Sequence, residues 1–205
     1  MRNGQEIKLM NQNDCNMNVS FLNVPGLASS GPQHWQTLWE QQYPDIFSRV
    51  QQENWDWPVK DEWVPQLQKQ ISALPGPTIL VAHSLGCITV AHWAQEFASD
   101  KIIGALLVAP ADAELSRRLN FVVGFTPIPV RPFPFKSIVV ASTNDIYATI
   151  SRSATFAANW GSEFINIGKK GHINAVSGLE DWTQGKEILE KLAGCKLVQH
   201  EATGS

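Results

Sequence analysis

The chain alternates short apolar runs with segments in which apolar residues recur every three or four positions. Several of the apolar runs are almost uninterrupted, as is typical of parallel strands that are covered on both faces. Six strands are predicted, at VSFLNV (19–24), IFSRVQ (46–51), TILVA (78–82), IIGALLV (102–108), KSIVVA (136–141) and EFINI (163–167).

The segments between these runs have the spacing of amphipathic helices. Residues 61–74 and residues 185–193 each place their apolar side chains on one stripe. Strand and helix therefore alternate, which predicts an α/β fold with right-handed crossovers. The expected architecture is a doubly wound, mostly parallel six-stranded sheet of order 2-1-3-4-5-6, with helices on both faces in three αβα layers.

One folded domain is predicted over residues 19–195, with polar ends at 1–18 and 196–205 that we expect to be mobile. Residues 126–135, TPIPVRPFPF, carry four prolines and predict a loop, since proline removes a backbone donor. This loop closes the connection 112–135, which is longer than most. We expect the connection to start with a helix and to form a short cap.

Composition supports a single core, because 205 residues with 43% hydrophobic side chains would make two domains cramped. The formal net charge of −3 and scattered Lys and Arg residues favour neither nucleic acid nor an anionic membrane as a partner. A small-molecule substrate is the expected partner, and the sequence does not indicate a protein partner. No run approaches the roughly 20 apolar residues of a membrane span, and the start lacks a signal-peptide core. These features predict a soluble, cytoplasmic protein.

The cysteines are Cys15, Cys87 and Cys195, and they form neither a paired framework nor a C-x-x-C cluster. This pattern predicts free thiols in a reducing compartment and argues against a structural zinc site.

Ser84 lies where TILVA ends and LGCITVAHWAQEF continues as a predicted helix. A serine on such a strand-to-helix turn fits the nucleophile elbow G-x-S-x-G. The turn requires small residues two positions before and after the serine, and Ala82 and Gly86 both qualify, although Ala82 departs from the usual glycine. The alternative is that Ser84 only caps the helix.

Partners for a nucleophile follow later strands. Asp145, in ASTNDIY, follows the fifth predicted strand, and His172, in GKKGHINA, follows the sixth. Carboxyl ends of parallel strands meet at one sheet edge, and the order Ser, Asp, His is that of α/β-hydrolases. A serine needs a base, and the imidazole needs a carboxylate that fixes its tautomer. Alternatively, Asp145 is a helix cap and His172 a surface residue. Asp112, in VAPADAE, is the rival acid.

An oxyanion hole can be placed from the same topology. The backbone N–H of Leu85 follows the nucleophile at a helix N-terminus, where negative charge is favoured. A second N–H is expected from PGLASSGPQHW after the first strand, with Leu27 as first choice and Ala28 as reserve. Gly26 would permit the turn. The alternative is a plain turn that enters a helix at His34.

Together these segments resemble the small serine hydrolases of the retinoblastoma-binding protein 9 and YdeN type, a compact branch of the α/β-hydrolase fold. The resemblance implies a Ser-Asp-His hydrolase without metal or organic cofactor, with these roles on Ser84, Asp145 and His172. One member of that family is named for binding a protein. The segments that carry the resemblance are VPGL, HW at 34–35, WDWP…W at 55–63, VAHSLG, VAPAD, PFPF, ASTNDIY, GHINAVSG and the tryptophan at 182.

Two functions are therefore predicted. The first is an enzyme that hydrolyses a small ester, thioester or amide through an acyl-serine intermediate, with Trp35 and His83 as candidates for substrate contact. The second is a non-catalytic protein- or ligand-binding module on a hydrolase fold. Esterase, thioesterase and amidase share one acyl-transfer apparatus, so the sequence does not separate them.

Overall fold

A six-stranded, all-parallel sheet of order β2-β1-β3-β4-β5-β6 forms the centre of the molecule. The computed structural model describes Cys15 and residues 19–198. Each of the six predicted strands is present, within two residues of its predicted bounds, and the predicted strand order is confirmed. The strands are β1 Ser20–Val24, β2 Phe47–Arg49, β3 Thr78–His83, β4 Ile102–Val108, β5 Lys136–Ala141 and β6 Glu163–Asn166.

Helices cover both faces of the sheet, which gives the three predicted layers. Side chains of α2, α3 and α4 pack on one face, whereas those of α1 and α5 pack on the other. Successive residues of β3 enter opposite cores, because side chains alternate along a strand. The helices are α1 Trp35–Gln42, α2 Lys60–Ala73, α3 Leu85–Glu96, α4 Ile150–Trp160 and α5 Thr183–Ala193.

The strand register brings four connecting loops to one edge of the sheet. Val24 pairs with Ala82, His83 with Val108, and Ala141 with Asn166, so these strands end nearly level. The loops after β1, β3, β5 and β6 therefore leave the same edge. This edge carries the residues with candidate chemistry.

The connection 112–135 differs from its prediction. It contains one short 3₁₀ turn, Arg117–Leu119, where we expected the first part of a cap to be helical. A short helix in this connection would be marginally stable, because forming its first turn fixes the backbone of several residues for a single hydrogen bond. The proline-rich part, 126–135, is a loop as predicted.

Cys15 and Cys195 form a disulfide bond, with Cα atoms 5.0 Å apart, so the free-thiol prediction is wrong for both residues. The bond joins residues 180 positions apart, a separation at which sequence spacing gives no sign of proximity. Cys87 is a free, buried thiol, as predicted. The cysteines therefore no longer support a reducing compartment. Apart from Cys15 and residues 196–198, the ends predicted to be mobile lie outside the described residues.

Among residues 19–198, every helix is too short or too polar to cross a membrane.

Candidate active site

Ser84 occupies a strained turn between β3 and α3. Its backbone has φ 57° and ψ −123°, a conformation that non-glycine residues rarely adopt. The Ser84 N–H donates to the Val108 carbonyl at 2.9 Å, and the Ser84 carbonyl accepts from the Cys87 N–H at 3.0 Å. The side chain makes no capping bond to α3. The hydroxyl is therefore not a helix cap, and the elbow holds it outward from the strand.

The residues around this turn are small for a steric reason. A Cβ on Gly86 would lie 2.1 Å from the Val24 carbonyl oxygen, so no larger residue fits there. A Cβ on Gly26 would lie 2.8 Å from the Cβ of Ser84. Gly26 has a negative φ of −88°, so close approach, and not a left-handed backbone, is what requires a glycine there. The loop after β1 can thus pack directly against the elbow.

His172 bridges Ser84 and Asp145 by hydrogen bonds. Its Nε2 lies 2.8 Å from the Ser84 Oγ, and its Nδ1 lies 2.8 and 2.9 Å from the two Asp145 carboxylate oxygens. The side chains of His172 and Asp145 are only 8% and 4% exposed. A carboxylate accepts, so Nδ1 carries the proton and Nε2 is free to accept from the hydroxyl. The arrangement can therefore take a proton from Ser84.

Local hydrogen bonds orient the Asp145 carboxylate. Its Oδ1 accepts from the Tyr147 N–H at 2.8 Å, which closes a tight turn after β5. Asn144 Oδ1 accepts from the Ser142 hydroxyl at 2.9 Å and from the Gly171 N–H at 2.8 Å. Asn144 thereby joins the loop of Asp145 to the loop of His172. The local sequence did not predict this bridge, because the Gly171 N–H belongs to the loop after the neighbouring strand.

Asp112 lies in a separate turn. Its Oδ1 accepts from the N–H groups of Glu114 and Leu115 at 3.1 and 3.2 Å. Its Oδ2 pairs with the Arg152 Nε at 3.0 Å. Asp112 thus stabilises the start of the connection 112–135, and Asp145 supplies the carboxylate that bonds the Nδ1 of His172.

Near Ser84, the backbone N–H groups of Leu27 and Leu85, the two oxyanion-hole candidates, make no hydrogen bond within the described part of the chain. The Ala28 N–H, the reserve candidate for the oxyanion hole, donates instead to the Trp55 carbonyl at 3.4 Å. His34 does cap α1, since its Nδ1 accepts from the Gln36 N–H at 3.2 Å. The turn that enters α1 and the loop expected to supply an oxyanion donor are therefore compatible parts of one segment.

A cavity of about 280 Å³ opens beside Ser84. His83 is part of its wall, whereas Trp35 is 1% exposed and is not among the lining residues. The indole Nε1 of Trp35 donates to the Ile173 carbonyl at 2.8 Å. The lining residues are Leu27, Ala28, Ser30, Gly31, His34, His83, Ser84, Tyr147, His172, Asn174, Ala175 and Val176.

Two further imidazoles near the cavity are held neutral. Burial, the nearby Arg49 guanidinium and His172 lower the pKa of His34 to about 3. Burial, with smaller effects of His34 and His172, lowers the pKa of His83 well below 6.5. Neither ring adds a positive charge beside His172 near pH 7. Burial also raises the pKa of the Cys87 thiol well above 9, which leaves it uncharged and unreactive.

Comparison with known proteins gives a consistent result. The sequence model of a family described as serine hydrolase matches residues 21–191. A YdeN-like hydrolase from Pectobacterium atrosepticum is 30% identical, with a TM-score of 0.77 over 86% of this chain and 91% of that one. The ydeN gene product of Bacillus subtilis is 20% identical, with a TM-score of 0.68 over 86% and 98%. Carboxylesterase CesB from Bacillus subtilis, at 10% identity, shares the fold with a TM-score of 0.61 over 88% and 85%. No curated protein matches the chain.

Proposed function

The chain belongs to the serine hydrolase family, and we propose that it is an enzyme that hydrolyses small esters, thioesters or amides through an acyl-serine intermediate. The observation that carries the proposal is the hydrogen-bonded series Ser84, His172, Asp145, with contacts of 2.8 to 2.9 Å. A serine hydroxyl is a weak nucleophile at neutral pH unless a base takes its proton. His172 is placed to be that base, and Asp145 to fix its tautomer.

Acylation begins when Ser84 Oγ attacks the substrate carbonyl carbon while His172 Nε2 takes the hydroxyl proton. The tetrahedral oxyanion forms beside the unpaired N–H groups of Leu85 and Leu27, which also lies at the cavity wall. His172 then gives its proton to the leaving alcohol, thiol or amine, and the acyl group stays on Ser84.

Deacylation repeats these steps with water. His172 takes a proton from the water as it attacks the acyl carbon, and then returns a proton to Ser84 Oγ as the acid leaves. Asp145 stabilises the imidazolium in both halves of the cycle and stays ionised. Every proton transfer in this sequence uses a group of the chain or water, so the proposal includes no cofactor.

The cavity supports a small acyl group. Its volume of about 280 Å³ is at or below the lower end of the range for ligand pockets, roughly 300 Å³. CesB and a Rhodothermus marinus domain with the same fold are named as a carboxylesterase and an esterase. We therefore favour a carboxylesterase-like activity on short acyl esters.

Partner and location stay predictions. The charge of −3 supports a small-molecule substrate over nucleic acid or a membrane. A cytoplasmic location is still the prediction from the sequence, but its support from the cysteines is lost because Cys15 and Cys195 are joined.

Labelling with a fluorophosphonate probe tests the proposal against the binding-module alternative. The probe requires an activated serine, so the wild type should be labelled and Ser84→Ala should not. Ser30→Ala is the matched control, because Ser30 lines the same cavity but donates its hydroxyl to Gln36 Oε1 at 2.6 Å. A folded wild type that the probe leaves unlabelled would favour the binding module.

A further inference from the structure

The residues on either side of His172 both have a positive φ, and the sequence favours this conformation at only one of them. Gly171 has φ 54° and Ile173 has φ 50°. A positive φ suits glycine, but for a β-branched isoleucine it is a strained conformation that persists only when the surroundings enforce it. Ile173 is fully buried, so its surroundings can enforce it.

Two ring N–H groups from other parts of the fold hold this loop. His83 Nε2 lies 2.9 Å from the His172 carbonyl oxygen, and Trp35 Nε1 donates to the Ile173 carbonyl at 2.8 Å. A carbonyl oxygen only accepts, so the Nε2 of His83 carries the proton. Two successive peptide groups, on the C-terminal side of His172, are therefore fixed by side chains from the end of β3 and the start of α1.

We propose that His83 and Trp35 are positioning residues that hold the backbone of His172, so that its Nε2 stays on the Ser84 hydroxyl. The proposal rests on the proposed function, since it assigns these residues to the same site. It replaces the substrate contact predicted for Trp35 and adds a second role to His83. His83 directly precedes Ser84, so one residue connects the backbone of the nucleophile to the backbone of the base.

The positions of the two carbonyl hydrogen bonds explain why their loss would lower turnover. The held His172 carbonyl fixes the peptide plane that adjoins the His172 Cα and so constrains the direction of its Cα–Cβ bond, and the held Ile173 carbonyl fixes the next peptide plane. Asp145 and Ser84 fix the far side of the ring at 2.8 to 2.9 Å. A base displaced by about 1 Å can cost on the order of a hundredfold in rate. Loss of either carbonyl bond should therefore lower kcat and leave substrate affinity nearly unchanged.

Trp35→Phe is the cleaner variant, because Trp35 is outside the cavity wall and phenylalanine lacks only the indole N–H and part of the ring. Trp39→Phe is its matched control. Trp39 lies on the same helix, is fully buried, and donates its Nε1 to the Asp181 carbonyl at 2.8 Å, away from His172. Both variants replace a buried indole by a phenyl ring in the same hydrophobic core, so the control accounts for the lost packing.

His83 is tested by a pair of substitutions. His83→Met removes the donor, whereas His83→Gln keeps an N–H group that can reach the His172 carbonyl. His92→Met is the matched control, since His92 lies on α3 and its Nε2 bonds the Phe125 carbonyl of the connection 112–135 at 3.1 Å. If His83→Met does not fold, Trp35→Phe and His83→Gln still carry the test.

The experiment measures kcat and KM for a short acyl p-nitrophenyl ester in every variant, together with hydrogen–deuterium exchange of residues 169–178. We expect Trp35→Phe and His83→Met to lower kcat about 10- to 100-fold with KM nearly unchanged. Exchange over residues 169–178 should rise in the same two variants. His83→Gln should recover most of the loss, and both controls should behave as wild type.

Three results would overturn the positioning role: full kcat in folded Trp35→Phe, an equal loss in Trp39→Phe, or a loss that falls on KM alone. A wild type that neither turns over ester nor reacts with fluorophosphonate would instead reject the proposed function. In that case the exchange measurement alone decides whether the two rings hold the loop.

Discussion

Replacing Asp145 with asparagine changes one charge and one hydrogen-bonding direction beside His172. Both carboxylate oxygens lie within 2.9 Å of Nδ1 and accept from it. In Asp145→Asn one of these atoms becomes an NH2 donor, which faces a ring nitrogen that already carries a proton. The imidazole avoids this contact by moving its proton to Nε2, and Nε2 then cannot accept from the Ser84 hydroxyl.

The expected loss in kcat is about 10⁴-fold, the value for the same substitution in the serine-protease triad. This corresponds to about 5 kcal/mol of transition-state stabilisation. The fold should be retained because asparagine has nearly the same shape and its oxygen can still accept from the Tyr147 N–H, now 2.8 Å from the carboxylate.

Asp112→Asn is the matched control for charge and burial. Its oxygen can still accept from the N–H groups of Glu114 and Leu115, and Arg152 retains a second ion pair with Glu114. We expect the free energy of unfolding to fall by about 1 kcal/mol and kcat to change little.

The assay compares kcat for a short acyl p-nitrophenyl ester in both variants, with the folded fraction matched by circular dichroism and urea unfolding. If Asp112→Asn lost more activity than Asp145→Asn, the acid would belong to the loop after β4. If Asp145→Asn kept more than a tenth of the wild-type rate, the tautomer reasoning would be wrong.

Four further outcomes are expected. Single alanine substitutions of Ser84 and His172 should give similar losses in kcat and the double variant no greater loss; a much larger loss would separate the two residues. Butyryl esters should be turned over faster than decanoyl esters in the cavity of about 280 Å³, and the opposite order in a chain-length series would refute a small pocket. Reduction of the Cys15–Cys195 bond should lower the free energy of unfolding in urea by up to about 5 kcal/mol, since the bond closes a loop with a sequence separation of 180; an unchanged midpoint would contradict this. The folded-state pKa of His34, about 3, lies below its unfolded value of 6.5, so its stabilisation is complete above pH 6.5 and is lost as the pH falls toward 3. Between pH 7 and pH 5 the free energy of unfolding of the wild type should fall by about 2 kcal/mol more than that of His34→Asn. Equal falls would refute the lowered pKa of His34 in the folded state.

The strands and the Ser, Asp, His order could be predicted because both depend on local sequence. A nearly continuous apolar run such as IIGALLV is typical of a strand that is covered on both faces, and the parallel strand order brings loop residues to one edge of the sheet. The elbow needed only the small residues around Ser84. The strands, the elbow and the order of the three residues therefore follow from residues that are close to one another in sequence.

The rest depends on contacts between distant residues. Nothing local to Cys15 indicates that it lies 5.0 Å from Cys195, and nothing local to Trp35 indicates a bond to Ile173. The helix expected at the start of the cap is only the 3₁₀ turn Arg117–Leu119, and nothing local to Asp112 indicates its ion pair with Arg152. Such bonds form only after the sheet has brought the loops together, and a single sequence gives no sign of them.

The disulfide described above changes the covalent topology of the molecule. With Cys15 bonded to Cys195, residues 15–195 form a closed ring that contains all six strands and Ser84, Asp145 and His172. A tensile load applied to the two ends of the chain would pass through one sulfur–sulfur bond, and the sheet would bear none of it. A single peptide cut in any surface loop would open the ring but leave one connected molecule, so the domain would remain a single covalent piece where an open chain would become two.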